Sequence, residues 1–162
     1  MQSSLSAKNP EIAEFLARNH IAVLATVGKQ SETPHAAVIY YTTTSKLNIF
    51  FVTKIGTQKS RNLESNPLAA LVVYDPSAQK TIQFNGTAKR IDDPNRLQTA
   101  LEIMAKYSEE TANTKTLPIS RLDAGDYVLY KVTPQNIRMG EYRYATDDHI
   151  FSTAVPELES LE

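Results

Sequence analysis

Between His20 and Thr53, three apolar runs rich in β-branched residues follow one another with only short polar links: HIAVLATV at 20–27, HAAVIYYTTT at 35–44 and KLNIFFVT at 46–53. A parallel strand pair needs a crossover of a dozen or more residues, usually a helix. The links GKQSETP (28–34) and TTS (43–45) are too short for one, and the first carries both Gly and Pro. The chain must therefore pair these runs as antiparallel neighbours, and the second and third read as a hairpin. Three further runs extend the pattern. LAALVVYD (68–75) is apolar on both faces and reads as a central strand. TIQFNGTAKRI (81–91) is a long strand whose Gly86 marks a bulge or a close backbone approach, and DYVLYKVTP (126–134) alternates as a sixth strand. QNIRMGEYRYA (135–145) is a candidate seventh.

Helices frame the strands rather than separate them. Asn9, Pro10 and Glu11 form a helix start, after which Ile12, Phe15 and Leu16 share one face. DDPNRLQTALEIMAKY repeats the grammar with an Asp cap, Pro94 in the first turn and Leu97, Leu101 and Met104 on one face. A short helix over 57–65 sits between the third and fourth strands and ends before Asn66-Pro67. The segment 108–125 is polar and irregular. The expected fold is α+β and mainly β: a six- to seven-stranded antiparallel split β-barrel with peripheral helices, in one domain over 1–145. The acidic tail 146–162 is expected to be partly disordered.

Charge and composition narrow the function. Seventeen basic residues face eighteen acidic ones, for a net charge of -1. Such a chain has no global field to draw nucleic acid or an anionic membrane, so any anion site must be local. With no cysteine there is no disulfide, thiolate nucleophile or Cys-ligated metal, which fits a cytoplasmic setting. No apolar run is long enough for a membrane span, and the first fifteen residues lack the pattern of a signal peptide. His20, His35 and His149 are scattered, so no metal site is expected, and nothing marks a catalytic triad.

The local anion site has one candidate. In FFVTKIGTQKSRNLESNP (50–67) an apolar strand becomes a charged helix at Gly56, with Thr53, Lys54, Thr57, Lys59 and Arg61 around the turn. A helix start offers free N–H groups and the positive end of its dipole, which together suit a phosphate. Threonine hydroxyls and the Lys59 and Arg61 cations add donors. A second candidate surface is TPHAAVIYY, where Ala36 and Ala37 are small enough to let a flat ring approach the backbone.

These pieces, in this order, resemble the pyridoxamine 5′-phosphate oxidase-like family of FMN-binding split barrels. IAVLATV and TPHAAVIYY resemble its first two strands. IFFVTKIGTQKSRNLESNP resembles its strand–turn–helix, with a Thr, then Ser/Thr-x-Lys, then Asn-Pro. LAALVVYD and IQFNGTAKRIDD resemble its next hairpin, with Gly86 at the family's glycine.

The resemblance implies a homodimer holding two FMN molecules between its subunits and acting as an oxidoreductase on a small molecule. It implies phosphate ligands Thr53, Thr57 and Lys59. It lays the flavin ring along His35, Ala36, Ala37 and Val38, with a backbone contact at Val52 and cross-groove contacts from Thr81 and Gln83. The oxidases themselves carry an Arg and a Lys where this chain has Ala37 and Thr42, and an Arg where it has Gln58. Pyridoxamine phosphate is therefore not the expected substrate. Other branches use a deazaflavin or haem, so a non-catalytic flavin- or haem-binding role is the alternative. A haem would need an axial ligand, for which His149 is the candidate. Tyr40, Tyr142 and Arg143 are candidates for the substrate side, and no catalytic residue is assigned.

Overall fold

The computed structural model describes residues 10–143 and the backbone of Phe151–Ala154. Helix α1 (Pro10–Arg18) leads into β1 (Ile21–Thr26), β2 (His35–Tyr40), the two-residue β3 (Thr42–Thr43) and β4 (Ile49–Lys54). Helix α2 (Gln58–Ser65) precedes β5 (Leu68–Asp75) and β6 (Lys80–Ile91). Helix α3 (Pro94–Ala112), a 3-10 turn at Pro118–Arg121, β7 (Tyr127–Glu141) and β8 (Phe151–Ala154) complete the chain.

All the strands join one antiparallel sheet in the order β2-β1-β5-β6-β7-β4-β3, with β8 also on β7. β7 is the hinge of the arrangement. One of its edges pairs with β6 along nearly its whole length. Its other edge pairs with β4 over Tyr127–Val132 and with β8 over Ile137–Gly140. The sheet therefore forks along β7, and the curled result is the expected split barrel, mainly β with helices around it. β8 lies within the segment expected to be a loose tail. Asn9 and His149 lie outside the described residues. Among the described residues, no helix is long and apolar enough to cross a membrane.

The core closes over Leu24, Leu47, Ile49, Phe51, Ile82, Leu129, Val132 and Ile137, with α1 adding Ile12, Phe15 and Leu16. α3 adds Ala100 and Met104, while Leu97 and Leu101 pack against the core's margin. This apolar burial is the main stabilising term of the fold.

Three sequence expectations need correction. The run 35–44 is not one strand. Tyr41 is fully buried, its N–H donates to His20 O at 2.9 Å and its hydroxyl to Leu16 O at 2.9 Å. That inward turn ends β2 and starts β3. The hairpin partners change with it: β2 pairs with β1, and only Thr42 and Thr43 pair with β4.

Second, 126–134 and 135–145 form a single strand of 15 residues that runs through Pro134. A register shift separates its halves: Gly86 faces Pro134 while Asn85 faces Asn136, leaving Gln135 as an extra residue. This bulge reverses which residues point inward. Val128, Tyr130 and Val132 are buried before it, Ile137 and Met139 after it. Alternation broken at Gln135 is why the sequence reads as two strands.

Third, β5 is central in the order but buried on only one face. Ala69, Leu71 and Val73 are buried, whereas Leu68, Val72 and Tyr74 are exposed. The exposed set continues across the ladder, because Val72 pairs with Val23 and Val23 with Val38. Ile21, Val23, Val38, Leu68, Val72 and Tyr74 thus form one apolar outer surface, with Val38 65% exposed.

Candidate functional site

β4 delivers Thr53 to the end of its strand, and the chain turns through Ile55 and Gly56 into α2. The Gly56 N–H donates to Ala124 O at 2.7 Å. A Cβ at Gly56 would sit 2.7 Å from the same oxygen, so the turn can lie this close to the 122–126 loop only without a side chain. Thr57 is the N-cap of α2, and its Oγ1 accepts the Ser60 N–H at 3.4 Å. The N–H groups of Gln58 and Lys59, in the first turn of the helix, have no protein acceptor among the described residues.

α2 is held rigidly beneath this turn. Ser60 Oγ and Tyr130 Oη lie 3.0 Å apart, and Tyr130 stacks on Phe51. Asn62 Nδ2 donates to Thr26 Oγ1 at 3.0 Å, tying the helix to β1. Ser65 Oγ accepts the Lys29 N–H at 3.2 Å. These anchors escaped the sequence reading because Ser60, Asn62, Thr26 and Tyr130 meet only through the tertiary fold.

The three cations of the turn divide by role. Lys54 Nζ donates to Leu122 O at 2.6 Å and Ser120 O at 3.4 Å, pinning the 3-10 segment. Arg61 donates to the Gly56 carbonyl and to Gln58 Oε1, the latter at 3.0 Å. Lys59 differs: it is 8% exposed, and no acceptor or carboxylate pairs with it among the described residues. Burial lowers the pKa of its amine. An unpaired cation buried at an open helix start is unfavourable unless something negative joins it.

The threonines are arranged in series. Thr57 Oγ1 donates to Lys54 O at 2.8 Å. Thr53 Oγ1 lies 3.0 Å from Thr57 Oγ1 and, with the Thr57 proton already committed, must be the donor. Thr53 is fully buried behind Thr57. It positions the capping residue, and Thr57 stands nearer the opening.

β2 is the terminal strand of the sheet, hydrogen-bonded only to β1, and its free edge neighbours β4 and α2. Alternate backbone N–H and C=O groups of an edge strand are left unpaired. Its side chains alternate: Ala36 and Val38 face outward onto the apolar surface, while His35 and Ala37 are half-buried on the other face. His35 Nδ1 is buried with no hydrogen-bond partner. His35 is opposite Thr26, whose hydroxyl accepts from Asn62. Val52, in β4, is buried and paired with Leu129 of β7.

The remaining candidates lie elsewhere. Thr81 donates to Val73 O at 3.1 Å and is buried. Gln83 lines a groove of about 510 Å³ on the outer face with Val23, Ala25, Ala70, Val72, Asn85, Asn136 and Arg138. Asn85, Asn136 and Arg138 were not singled out from sequence. Continuing the β7 alternation from its first half would have turned Asn136 and Arg138 inward. Arg143 donates to the Ser77 carbonyl and Tyr142 N–H to Gln79 O, so both follow β7 and bond to the β5–β6 turn. Tyr40 reaches Thr111 of α3, with 3.5 Å between their hydroxyls.

The fold thus brings together a strand end, a glycine turn and an open helix start carrying a lysine with no partner among the described residues, flanked by the edge of β2. The sequence model of the pyridoxamine 5′-phosphate oxidase family matches residues 9–139. The chain belongs to the pyridoxamine 5′-phosphate oxidase-like family. None of the curated proteins matches it in sequence. Among solved structures, it is similar to a conserved hypothetical protein of Mycobacterium tuberculosis, with 21% identity, 88% of this chain and 87% of that one covered, and a TM-score of 0.64. It is similar to a pyridoxamine 5′-phosphate oxidase-related FMN-binding protein of Nostoc punctiforme, with 18% identity, coverages of 91% and 95%, and a TM-score of 0.59. It is also similar to the haem storage protein HutZ of Vibrio cholerae, with 22% identity, coverages of 83% and 94%, and a TM-score of 0.58. Solved structures with this fold thus include both an FMN-binding and a haem storage protein.

Proposed function

We propose that the chain is an FMN-binding oxidoreductase of the cytoplasm. It works as a homodimer on a small substrate other than pyridoxamine phosphate. The observation that carries this reading is Lys59, a buried cation with no partner among the described residues, beside the open amides of α2. A phosphate dianion would accept from the Gln58 and Lys59 N–H groups and from the Lys59 amine, and would relieve the buried charge. The flavin ring would then follow the free edge of β2, where unpaired backbone groups read its heteroatoms and Ala36 and Ala37 leave it room. His35 Nδ1 offers a polar atom to the same ring, and Val52 a backbone contact.

Bound there, the flavin supplies hydride or electron transfer, and the protein supplies position and exclusion of water. The phosphate grip is weaker than in the oxidases, since Ala37, Thr42 and Gln58 replace three cations that the resemblance implies.

The homodimer reading is supported by the apolar outer face of β2, β1 and β5. A contiguous apolar surface of this extent is uncommon on a monomer and marks an interface. Val23→Glu, at its centre, is expected to shift the light-scattering mass from dimer to monomer and to abolish FMN binding while leaving the secondary structure intact. A variant that stays dimeric would exclude this face as the interface.

The haem reading is favoured by the fold shared with HutZ. Of the described histidines, His20 stacks on Tyr107 at 3.4 Å and His35 is half-buried, which leaves neither freely presented as an axial ligand. The visible absorption spectrum of the purified protein, followed by titration with FMN, separates the readings. Flavin bands and saturable quenching of FMN fluorescence are expected. A haem band in place of flavin would overturn the flavin reading, and a protein indifferent to both would leave a non-catalytic binding role.

A further inference from the structure

Away from the phosphate turn, β6 and β7 carry cations that the fold leaves unbalanced. Lys89 and Lys131 stand directly opposite each other across the ladder. Like charges so placed repel. Lys89 lies past the start of β5, whose first residue Leu68 pairs with Thr87, so the row sits at the margin of the apolar outer surface and not within it. On its other side Lys131 faces Phe50, whose ring lies 5.4 Å from the Arg96 guanidinium of α3. None of these three cations has an ion pair among the described residues. Two residues from Lys131 along β7, Leu129 lines a cleft of about 250 Å³ under the first turn of α3, together with Ile91, Leu97 and Tyr127. A row of cations beside an apolar cleft suits an extended segment that offers a carboxylate and, two residues later, an apolar side chain.

The chain itself supplies such a segment at this place. β4 pairs with one edge of β7 over Tyr127–Val132, and β8 pairs with the same edge over Ile137–Gly140. Ala154 is opposite Ile137, so β8 aims the chain down that edge toward β4. The residues that follow are VPELESLE (155–162). Pro156 has no N–H with which to extend the ladder. From Val132 onward the edge already belongs to β4. A chain continuing past Pro156 therefore has to leave the plane of the sheet. The inner side is closed, because Leu47, Ile49, Val132 and Ile137 are fully buried there. The outer side, with Lys131 and Lys89, is open.

The lengths agree. From Ile137 back to Lys131 is about 20 Å of strand. Five extended residues from Ala154 to Glu159 cover about 17 Å, and the two side chains span the rest. Leu161 follows Glu159 by two residues, as Leu129 lies two beyond Lys131. The same register thus sets a carboxylate on the cations and a leucine at the cleft.

We propose that residues 155–162 dock in cis on the outer face of β6 and β7, with Glu159 between Lys131 and Lys89 and Leu161 in the cleft under α3. The docked segment straps the start of α3 to the sheet and neutralises the cation row. It stands independently of the flavin reading.

Carbodiimide coupling of the wild-type protein tests it, because the reagent joins a carboxylate to an amine only where the two meet. In the single-chain band of a denaturing gel, peptide mass spectrometry is expected to find Glu159 joined to Lys131 or Lys89, and far less to Lys106, whose side chain is exposed on α3. Glu159→Gln is expected to raise the acetylation rate of Lys131 and Lys89 about threefold, the scale of an exposed ion pair, and to leave that of Lys106 unchanged. The same peptide pair confined to a covalent dimer would place the segment on a neighbouring copy. Equal coupling to Lys106 would mean that the segment has no fixed seat. Lysines equally reactive in variant and wild type would leave the row bare or held by another anion. Each of these three results overturns the proposal.

Discussion

Replacing Gly86 by alanine is expected to lower the melting temperature by about 10 °C. A Cβ at this position would lie 2.0 Å from Thr133 O, 2.9 Å from Thr133 C and 3.2 Å from Pro134 Cα. All three are backbone atoms of the neighbouring strand, so no side chain can swing aside. β6 and β7 would have to separate at the bulge, in the longest strand pairing of the molecule. Overpacking against rigid backbone costs about 3 kcal/mol. The same change would disturb the register that turns Asn136 and Arg138 outward. Thermal unfolding followed by circular dichroism measures the effect on stability. A loss of less than about 2 °C would mean that the bulge is loosely packed and that Gly86 has no structural demand on it.

Lys59→Met is expected to move stability and binding in opposite directions. Methionine keeps the apolar stem of the side chain and removes a buried charge that has no partner among the described residues. In the folded protein burial depresses the Lys59 pKa. For a lysine with a lowered folded pKa, stability is fullest above the unfolded pKa and is lost as pH falls through the folded one. At neutral pH the charge therefore works against the unliganded fold, and the variant should melt at the same temperature or higher. Binding of FMN should weaken by about ten- to a hundredfold, the scale of a lost charge-assisted hydrogen bond. In the wild type, affinity should decline with rising pH earlier than an ordinary lysine would produce, and the variant should lack that decline. Unchanged affinity in a fluorescence titration would show that the phosphate, if bound, sits elsewhere. Reduced affinity accompanied by a large drop in melting temperature would mean that Lys59 has a structural partner.

The antiparallel plan was legible in the links. Residues 28–34 are too few for a crossover, Pro10 and Pro94 mark helix starts, and the short helix after Gly56 ends before Asn66-Pro67 as expected. Those features are local: each depends on backbone sterics and on hydrogen bonds within a few residues, so the sequence alone determines them. The cluster of hydroxyls and cations at the strand-to-helix turn was legible for the same reason. Its division of labour was not. Lys54, Lys59 and Arg61 are equivalent as letters. Only the carbonyls of Ser120 and Leu122, brought in by a distant loop, and the Gly56 carbonyl, reached by the fold of the turn, decide which lysine is left unpaired. Tertiary structure likewise decided the strand break at Tyr41, where a buried hydroxyl reaches Leu16 O, and the bulge at Gln135, which exists because Gly86 lets Thr133 approach. Each of these depends on atoms far apart in the chain, and a pattern of period two cannot register a contact that the pattern itself does not contain.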